Sequence, residues 1–351
     1  MQTNSAINII EYDVPLDDDL ENNLKNTRGS YSFEPYKFEN NKIDGKVIYS
    51  NDEIDFPIYF IGDIHGDVLA LSDCINYIQK EKDNALIMFL GDIIDRKYDQ
   101  FQCYKMIVEL SKTNRVIWLA GNHDVGLKYD KMKNNYFSEA SPSECSNEIN
   151  KLKKRTLGKR KKKKNRHLWD QIEFCDNFLE TVSKLPYALY LENIGLLAVH
   201  GSLPHDGYIG RTSNPSEDCS IHILEDLNKF ENSYLWGRVE DKPNGRYSSL
   251  RRDNEVGFEN INRTISNLKN IQFDMRYLVF GHQHPINGYK VYNEDMCGAK
   301  VVCIQSRYLG NPCFSASSRY TKPCLVCFRN GDFEIIKLLR KDKEVDEFYN
   351  K

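Results

Sequence analysis

No apolar run in this 351-residue chain approaches the roughly 18 residues a membrane-spanning helix needs, so no helical span is expected. The N-terminus, MQTNSAINIIEYDV, lacks a basic segment leading into an apolar one, and no secretory signal is expected. A disulfide framework is also missing. Ten cysteines are scattered without regular spacing through a chain far above mini-protein size, which suits reduced thiols in a cytoplasmic or nuclear compartment. The pair Cys324 and Cys327 has CxxC spacing but no second pair, and it lies in an apolar run. It reads as strand packing rather than a zinc or redox site. There are no internal repeats, and repeated apolar runs exclude disorder over the whole chain.

The net charge of −3 conceals an asymmetry. Residues 151–166, KLKKRTLGKRKKKKNR, hold eleven Lys or Arg and no acid, which leaves −14 on the rest of the chain. This run lies in a polar insertion at about 131–166. It reads as a solvated loop, or as a patch for nuclear localisation, nucleic acid or an anionic surface, or as a means of steering acidic substrates. Trp169 is its one nearby aromatic, so base stacking has little support. Three parts are expected: a loosely held polar arm over 1–55 with a short strand at 46–49, an ordered body over 56–340, and a tail at 341–351.

Within the body the pattern is regular. Apolar runs at 58–61, 85–90 and 116–120 read as buried strands. They end in Gly62-Asp63, Gly91-Asp92 and Gly121-Asn122-His123-Asp124. Val68, Leu71, Ile75 and Ile78 mark a helix over 67–82, and Cys103, Met106, Ile107 and Leu110 mark another. The resulting β-α-β-α-β run predicts an α/β fold with parallel strands and right-handed crossovers, and such sheets bind ligands at the carboxyl ends of their strands. Residues 168–182 read as a further helix. Strands at 187–191 and 195–199 lead to His200-Gly201, and one at 277–280 runs into Gly281-His282-Gln283-His284. Residues 203–270 are mixed and loop-rich. Further strands follow at 300–305, 324–328 and 333–338.

Five of the eight histidines thus fall at strand ends in glycine-flanked turns, with Asp63, Asp92, Asp95, Arg96 and Asn122 beside them. Carboxylate, carboxamide and imidazole together suit Mn²⁺, Fe or Zn²⁺. An aspartate central to such a set can bridge two ions, the arrangement that clamps both oxygens of an in-line phosphoryl displacement. Taken singly, each fragment has an ordinary reading: Asp63 and Asn122 as turn residues, His200 as a core histidine. The ordered set does not.

GDIHG, GDIIDR, GNHD, VHGS and VFGHQH, in this order, resemble the calcineurin-like metallophosphoesterases. Within them the chain is similar to the phosphoprotein phosphatase family of serine/threonine phosphatases, with LWGR at 235–238 closer to bacterial and phage-type members. The resemblance runs from about 57 to 331. It implies an αββα sandwich, two central β-sheets flanked by helices, and two divalent ions, Mn²⁺ first with Fe or Zn²⁺ as alternatives. By resemblance Asp63, His65 and Asp92 bind the first ion. Asp92 bridges to the second, which Asn122, His200 and His282 complete. His284 is either a further ligand or a neighbour. A bridging hydroxide would attack phosphorus in line, while His123, held by Asp95, protonates the leaving alkoxide. Arg96 and Arg238 would clamp the phosphoryl oxygens, with Arg251 or Arg252 as the alternative second arginine.

Three departures stand out. Lys97 replaces the glycine of GDxxDRG, Asp124 the glutamate of GNHE, and Ser202 the second glycine of HGG. The expected activity is hydrolysis of phosphoserine and phosphothreonine in phosphoproteins, with phosphotyrosine also accepted. Two alternatives remain. One is hydrolysis of nucleotides or dinucleotide polyphosphates, with Tyr208, Arg211, Tyr234 and Trp236 lining a base pocket unless they are core. The other is an inactive scaffold that binds phosphoproteins.

Overall fold

The computed structural model describes residues 7–15, 32–44, 46–81, 84–97, 99–159, 166–203, 231–245, 255–270, 274–292, 294–308 and 322–349. One sheet has six strands in the order β1 (Asn8–Asp13), β17 (Asp332–Leu339), β16 (Cys324–Arg329), β4 (Ile58–Ile61), β5 (Leu86–Phe89), β6 (Arg115–Trp118). Strands β4, β5 and β6 are parallel neighbours, linked through α1 (Val68–Glu81) and α2 (Gln100–Ser111) as the β-α-β-α-β pattern predicts. The second sheet has seven strands. Its order is β14 (Tyr289–Tyr292), β15 (Lys300–Ile304), β13 (Tyr277–Phe280), β10 (Leu196–Val199), β9 (Ala188–Leu191), β3 (Val47–Ser50), β2 (Asn41–Asp44).

Residue alternation explains how these sheets stack. Ile58, Phe60, Leu86 and Met88 face the second sheet and meet Leu189, Leu196, Ala198, Val279, Val302 and Ile304 in one apolar cluster. Their neighbours Tyr59, Ile61, Ile87 and Phe89 face outward, where α1 and α2 cover them with Leu71, Ile75, Tyr104 and Ile107. On the far side, Tyr190, Leu197, Leu278 and Phe280 pack against Ile261 and Ile265 of α7 (Phe258–Asn270). The central strands are therefore buried on both faces and read as continuous apolar runs. Each fully buried Leu, Ile, Val or Phe contributes roughly 1.5–3 kcal/mol, which places the main stabilisation in these three layers of contact. The architecture is the expected αββα sandwich.

Parts of the expected loose arm belong to the sheets. β1 lies parallel to β17, and β2 and β3 extend the second sheet beside β9. An edge strand needs one apolar face only; Ile10 and Tyr12 supply it while Ile9 is exposed. That alternation is too sparse to stand out within polar sequence. The insertion also has structure. It opens with the hairpin β7 (Leu127–Asp130) and β8 (Asn135–Ser138), followed by α4 (Glu144–Lys159) and, across the 160–165 segment, α5 (Arg166–Lys184). So the first half of the basic run is helical. Cys145 and Ile149, one turn apart, bury one side of α4, and Glu144 at its start complements the helix dipole.

Three further features complete the chain. α3 (Asn122–Gly126) follows β6 directly. The loop-rich region contains α6 (Glu231–Trp236) and the parallel pair β11 (Arg238–Glu240) and β12 (Glu255–Gly257). α8 (Glu294–Cys297) precedes β15, and α9 (Asp342–Tyr349) closes the described chain. Cys324 faces the inter-sheet core and Cys327 the helical side, because residues three apart on a strand point to opposite faces. They cannot share a metal, and both thiols are free. No helix among the described residues is long and apolar enough to cross a membrane.

Candidate functional site

Five strand ends converge on one point. β4 delivers Asp63 and His65, β5 Asp92, β6 Asn122 and His123, β10 His200, and β13 His282. All seven side chains are buried. The backbone is forced to turn sharply here. Positive φ is found at His65, Asp92, Asp95, Arg96 and His282, whereas only two other non-glycine residues adopt it. Such conformations cost about 1–3 kcal/mol each and persist where surrounding structure imposes them. Gly281 allows the approach: a Cβ there would lie 2.6 Å from Asp63 Oδ1.

Each carboxylate spends one oxygen on the backbone and presents the other. Asp63 Oδ1 accepts from the His282 N–H at 2.8 Å, and Asp92 Oδ1 from the His123 N–H at 2.9 Å. Asp92 Oδ2 then lies 3.4 Å from His65 Nε2 and 3.4 Å from His200 Nε2, between two clusters. His65, Asp92 and His123 form one group able to hold a metal; Asp92, His200 and His282 form the other. The histidines are oriented from behind. His65 Nδ1 donates to the Ile94 carbonyl at 2.8 Å, His200 Nδ1 to that of Leu90 at 2.9 Å, and His282 Nδ1 to Asn122 Oδ1 at 2.9 Å. Such bonds leave Nε2 pointing into the site. Asp63 Oδ2, His65 Nε2 and His282 Nε2 are buried and have no hydrogen-bond partner among the described residues. Orphaned lone pairs of this kind, beside a central carboxylate, fit two divalent cations.

Protonation follows the same logic. Burial, then the nearby Arg96 charge, holds His65 well below the usual histidine range. Burial, reinforced by His200, does the same for His282. Burial acts against charge on Asp92, but the charges of His200 and His123 outweigh it, and its pKa is well below normal. His200 differs. Burial opposes its charge, yet Asp92 and other carboxylates raise it to about 9. Its Nε2–H then lies 3.0 Å from Asn122 Oδ1, so a proton stands where the second cluster would take a cation.

Around this centre lie groups suited to substrate. His123 Nδ1 donates to Asp95 Oδ2 at 2.9 Å, and Asp95 Oδ1 accepts from the Cys145 N–H at 2.9 Å. Burial raises the Asp95 pKa despite the histidine contact. Arg96 is half-buried, with its N–H on Glu144 Oε2 at 2.8 Å and Nη1 donating to His284 Nε2 at 3.0 Å. That donation, with burial keeping His284 neutral, puts the ring proton on Nδ1, which faces Asp63 Oδ2 at 3.8 Å. His284 therefore meets the cluster as a donor. The Gln283 amide pairs with the backbone of Val239 at 3.2 and 2.9 Å, which holds β11 against the turn after β13. Arg238, at the head of β11, is close enough for its charge to lower His282. Arg251, Arg252, Tyr208 and Arg211 lie outside the described residues. Tyr234 is fully buried in the outer core, and the Trp236 ring meets His282 edge-on at 6.2 Å.

Sequence reasoning passed over several groups. Asp124 accepts from the N–H of Asp92 at 2.8 Å and of Gly121 at 2.9 Å, locking two strand ends together. Burial and the Asp92 charge push it up to about 7. Asp67 accepts from the Ala70 and Tyr308 N–H groups at 2.9 and 2.8 Å. Arg307, 2% exposed, sits just beyond the end of β15. A signal existed for it: the polar run Gln305-Ser306-Arg307 closes an apolar strand as the motif residues do.

The comparisons agree with this geometry. Bis(5'-nucleosyl)-tetraphosphatase PrpE (asymmetrical) of Oceanobacillus iheyensis is 27% identical over 155 residues, covering 42% of this chain and 56% of that protein. The chain thus spans little more than half the length of this curated relative. A protein serine/threonine phosphatase from Saccharomyces cerevisiae is 18% identical, with 84% of this chain and 83% of that one covered at a TM-score of 0.47. A putative diadenosine tetraphosphatase is 14% identical, with 85% and 100% covered at a TM-score of 0.42. The model of the family described as calcineurin-like phosphoesterase matches residues 56–285, which contain every strand end of the buried cluster, and the chain belongs to that family.

Proposed function

We propose that this chain is a phosphomonoesterase acting on phosphoserine and phosphothreonine in proteins, with phosphotyrosine also accepted. Its two divalent cations would be Mn²⁺, with Fe or Zn²⁺ as alternatives. Asp63, His65 and Asp92 would hold one cation, and Asp92, Asn122, His200 and His282 the other. When bound, the two cations supply the charge that makes water nucleophilic near neutral pH and offset the phosphoryl oxygens.

The chain's own residues do the rest. Arg96 and Arg238 approach from opposite sides of the centre, and each planar guanidinium can grip two phosphoryl oxygens. His284 holds Arg96 through Nε2. Asp95 fixes the tautomer of His123, leaving Nε2 to pass a proton to the departing oxygen. The cysteines take no part. Burial pushes the Cys145 thiol far up, for example, and leaves it a poor nucleophile.

The buried His123–Asp95 pair is the observation that carries the substrate reading. A serine or threonine alkoxide is a poor leaving group and needs a proton, whereas a nucleotide phosphate leaves without one. Burial of Tyr234 also removes one wall of a base pocket. A second reading, hydrolysis of dinucleotide polyphosphates, draws support from the tetraphosphatase relative. The test is phosphate release by the metal-stripped chain, with and without Mn²⁺. Substrates would be phosphoserine/phosphothreonine peptides, a phosphotyrosine peptide and diadenosine tetraphosphate, with Asp92→Asn as control. Mn²⁺-dependent release from peptides, absent in the control, is expected. Preference for the dinucleotide would replace the first reading with the second. Silence on all three with metal bound would favour an inactive scaffold.

A further inference from the structure

We propose that Arg307 is a phosphoryl-binding residue of this site, forming with Arg96 an oxyanion-binding wall on the side of Asp63 and His284. The inference rests on the two-cation site described above, but not on which phosphate ester is the substrate.

The segment carrying Arg307 is built into the cluster. Gln305 bridges in parallel to Asp63, so the chain after β15 runs alongside the chain after β4. The Ser306 N–H donates to the Asp63 carbonyl at 3.3 Å; its Oγ accepts from the Gly62 N–H at 2.9 Å and donates to the Cys324 carbonyl at 2.5 Å. On the other side, the Tyr308 N–H donates to Asp67 Oδ2 at 2.8 Å and its hydroxyl to Asp73 Oδ2 at 2.6 Å. Arg340 grips the same Asp73 carboxylate through Nε and Nη2 at 2.7 and 2.8 Å. Both neighbours of Arg307 are therefore fixed to four separate elements. A side chain held this way is pre-organised, and little rotamer freedom remains to be lost when a ligand binds.

Charge supplies the second line of argument. The Arg307 guanidinium acts on His65 and His284, and Arg96 acts on Arg307. Two buried guanidiniums within range of each other are costly unless anions compensate. Asp63 and Asp92, the nearby carboxylates, are the ones whose free oxygens point at the cation positions. Once cations occupy those oxygens, the arginines are left with an excess of positive charge. A phosphoryl dianion resolves it, and the fork of an arginine matches two of its oxygens. The opposing view is that Arg307 merely fastens Asp67 and the turn before α1.

Inorganic phosphate separates the two, because it is the product of any phosphomonoester. Titration calorimetry of the full chain would measure Mn²⁺ and then phosphate binding in wild type, Arg307→Gln and Arg307→Lys, with Tm alongside. We expect Arg307→Gln to weaken phosphate about tenfold, the loss of one charge-assisted bidentate contact, while Mn²⁺ affinity and stoichiometry stay as in wild type. The KM for p-nitrophenyl phosphate should rise more than kcat falls. Wild-type phosphate affinity in Arg307→Gln, or loss of Mn²⁺ binding with a lowered Tm, would overturn the assignment. Should the Gln variant not fold, the Lys variant decides. Weaker phosphate at unchanged Mn²⁺ affinity supports the proposal, and wild-type phosphate affinity defeats it. Normal phosphate binding without turnover of phosphopeptides would count against the substrate reading alone.

Discussion

His200 carries a proton on each ring nitrogen at pH 7 because Asp92 and its neighbouring carboxylates hold its pKa near 9. A cation at the second cluster must displace the Nε2 proton, so affinity should climb as pH rises from 6 and level off above about 9. Mn²⁺ titrations across that range, in buffers of different ionisation enthalpy, would reveal the released proton; pH-independent affinity would refute the linkage. His123 makes a separate prediction. His123→Asn should slow alkyl phosphates roughly 10²-fold or more yet spare p-nitrophenyl phosphate, whose leaving group needs little protonation. Equal losses on both would remove His123 as the proton donor. For His284, whose Nε2 accepts from Arg96, the Gln variant should keep two Mn²⁺ per chain by elemental analysis while its KM rises. A fall to one ion would restore it as a ligand.

Single elements carry specific tasks in holding these residues. The start of α4 supports the loop after β5 from outside the sandwich, with Glu144 on the Arg96 N–H and the Cys145 N–H on Asp95. Replacing 155–165 with a short linker should therefore leave Mn²⁺ stoichiometry and turnover of small phosphoesters unchanged. Glu144→Ala should cut kcat/KM several-fold, since Arg96 loses its backbone anchor. If the linker variant also lost metal, the distal half of the insertion would be structural. β11 plays the matching role for Arg238, tethered only through the Gln283 amide and its neighbours. The helical periods of α1 and α2 were legible because each has an apolar stripe. α4 was hidden by its run of lysines, which places two buried residues among charges.

At the scale of the whole molecule, stability and site are coupled through the inter-sheet core. Phe60 is fully buried between the sheets, two residues before Gly62. Phe60→Ala should cost about 3–5 kcal/mol and lower Tm, with metal lost only as the chain unfolds, as calorimetry with and without Mn²⁺ would show. The strands, their order in the first half and the Asp, Asn and His residues at their ends were set by local signals in the sequence. Apolar runs, glycines and the residues after them are readable within a few positions. What no local signal could decide was which strand ends meet. That depends on two sheets stacking through alternating faces, which brings His200 and His282 from one sheet against Asp92 from the other. The same stacking gives β1 a partner more than 300 residues away and sets Arg307 beside Asp63, because pairing of distant segments is governed by packing and not by sequence neighbours.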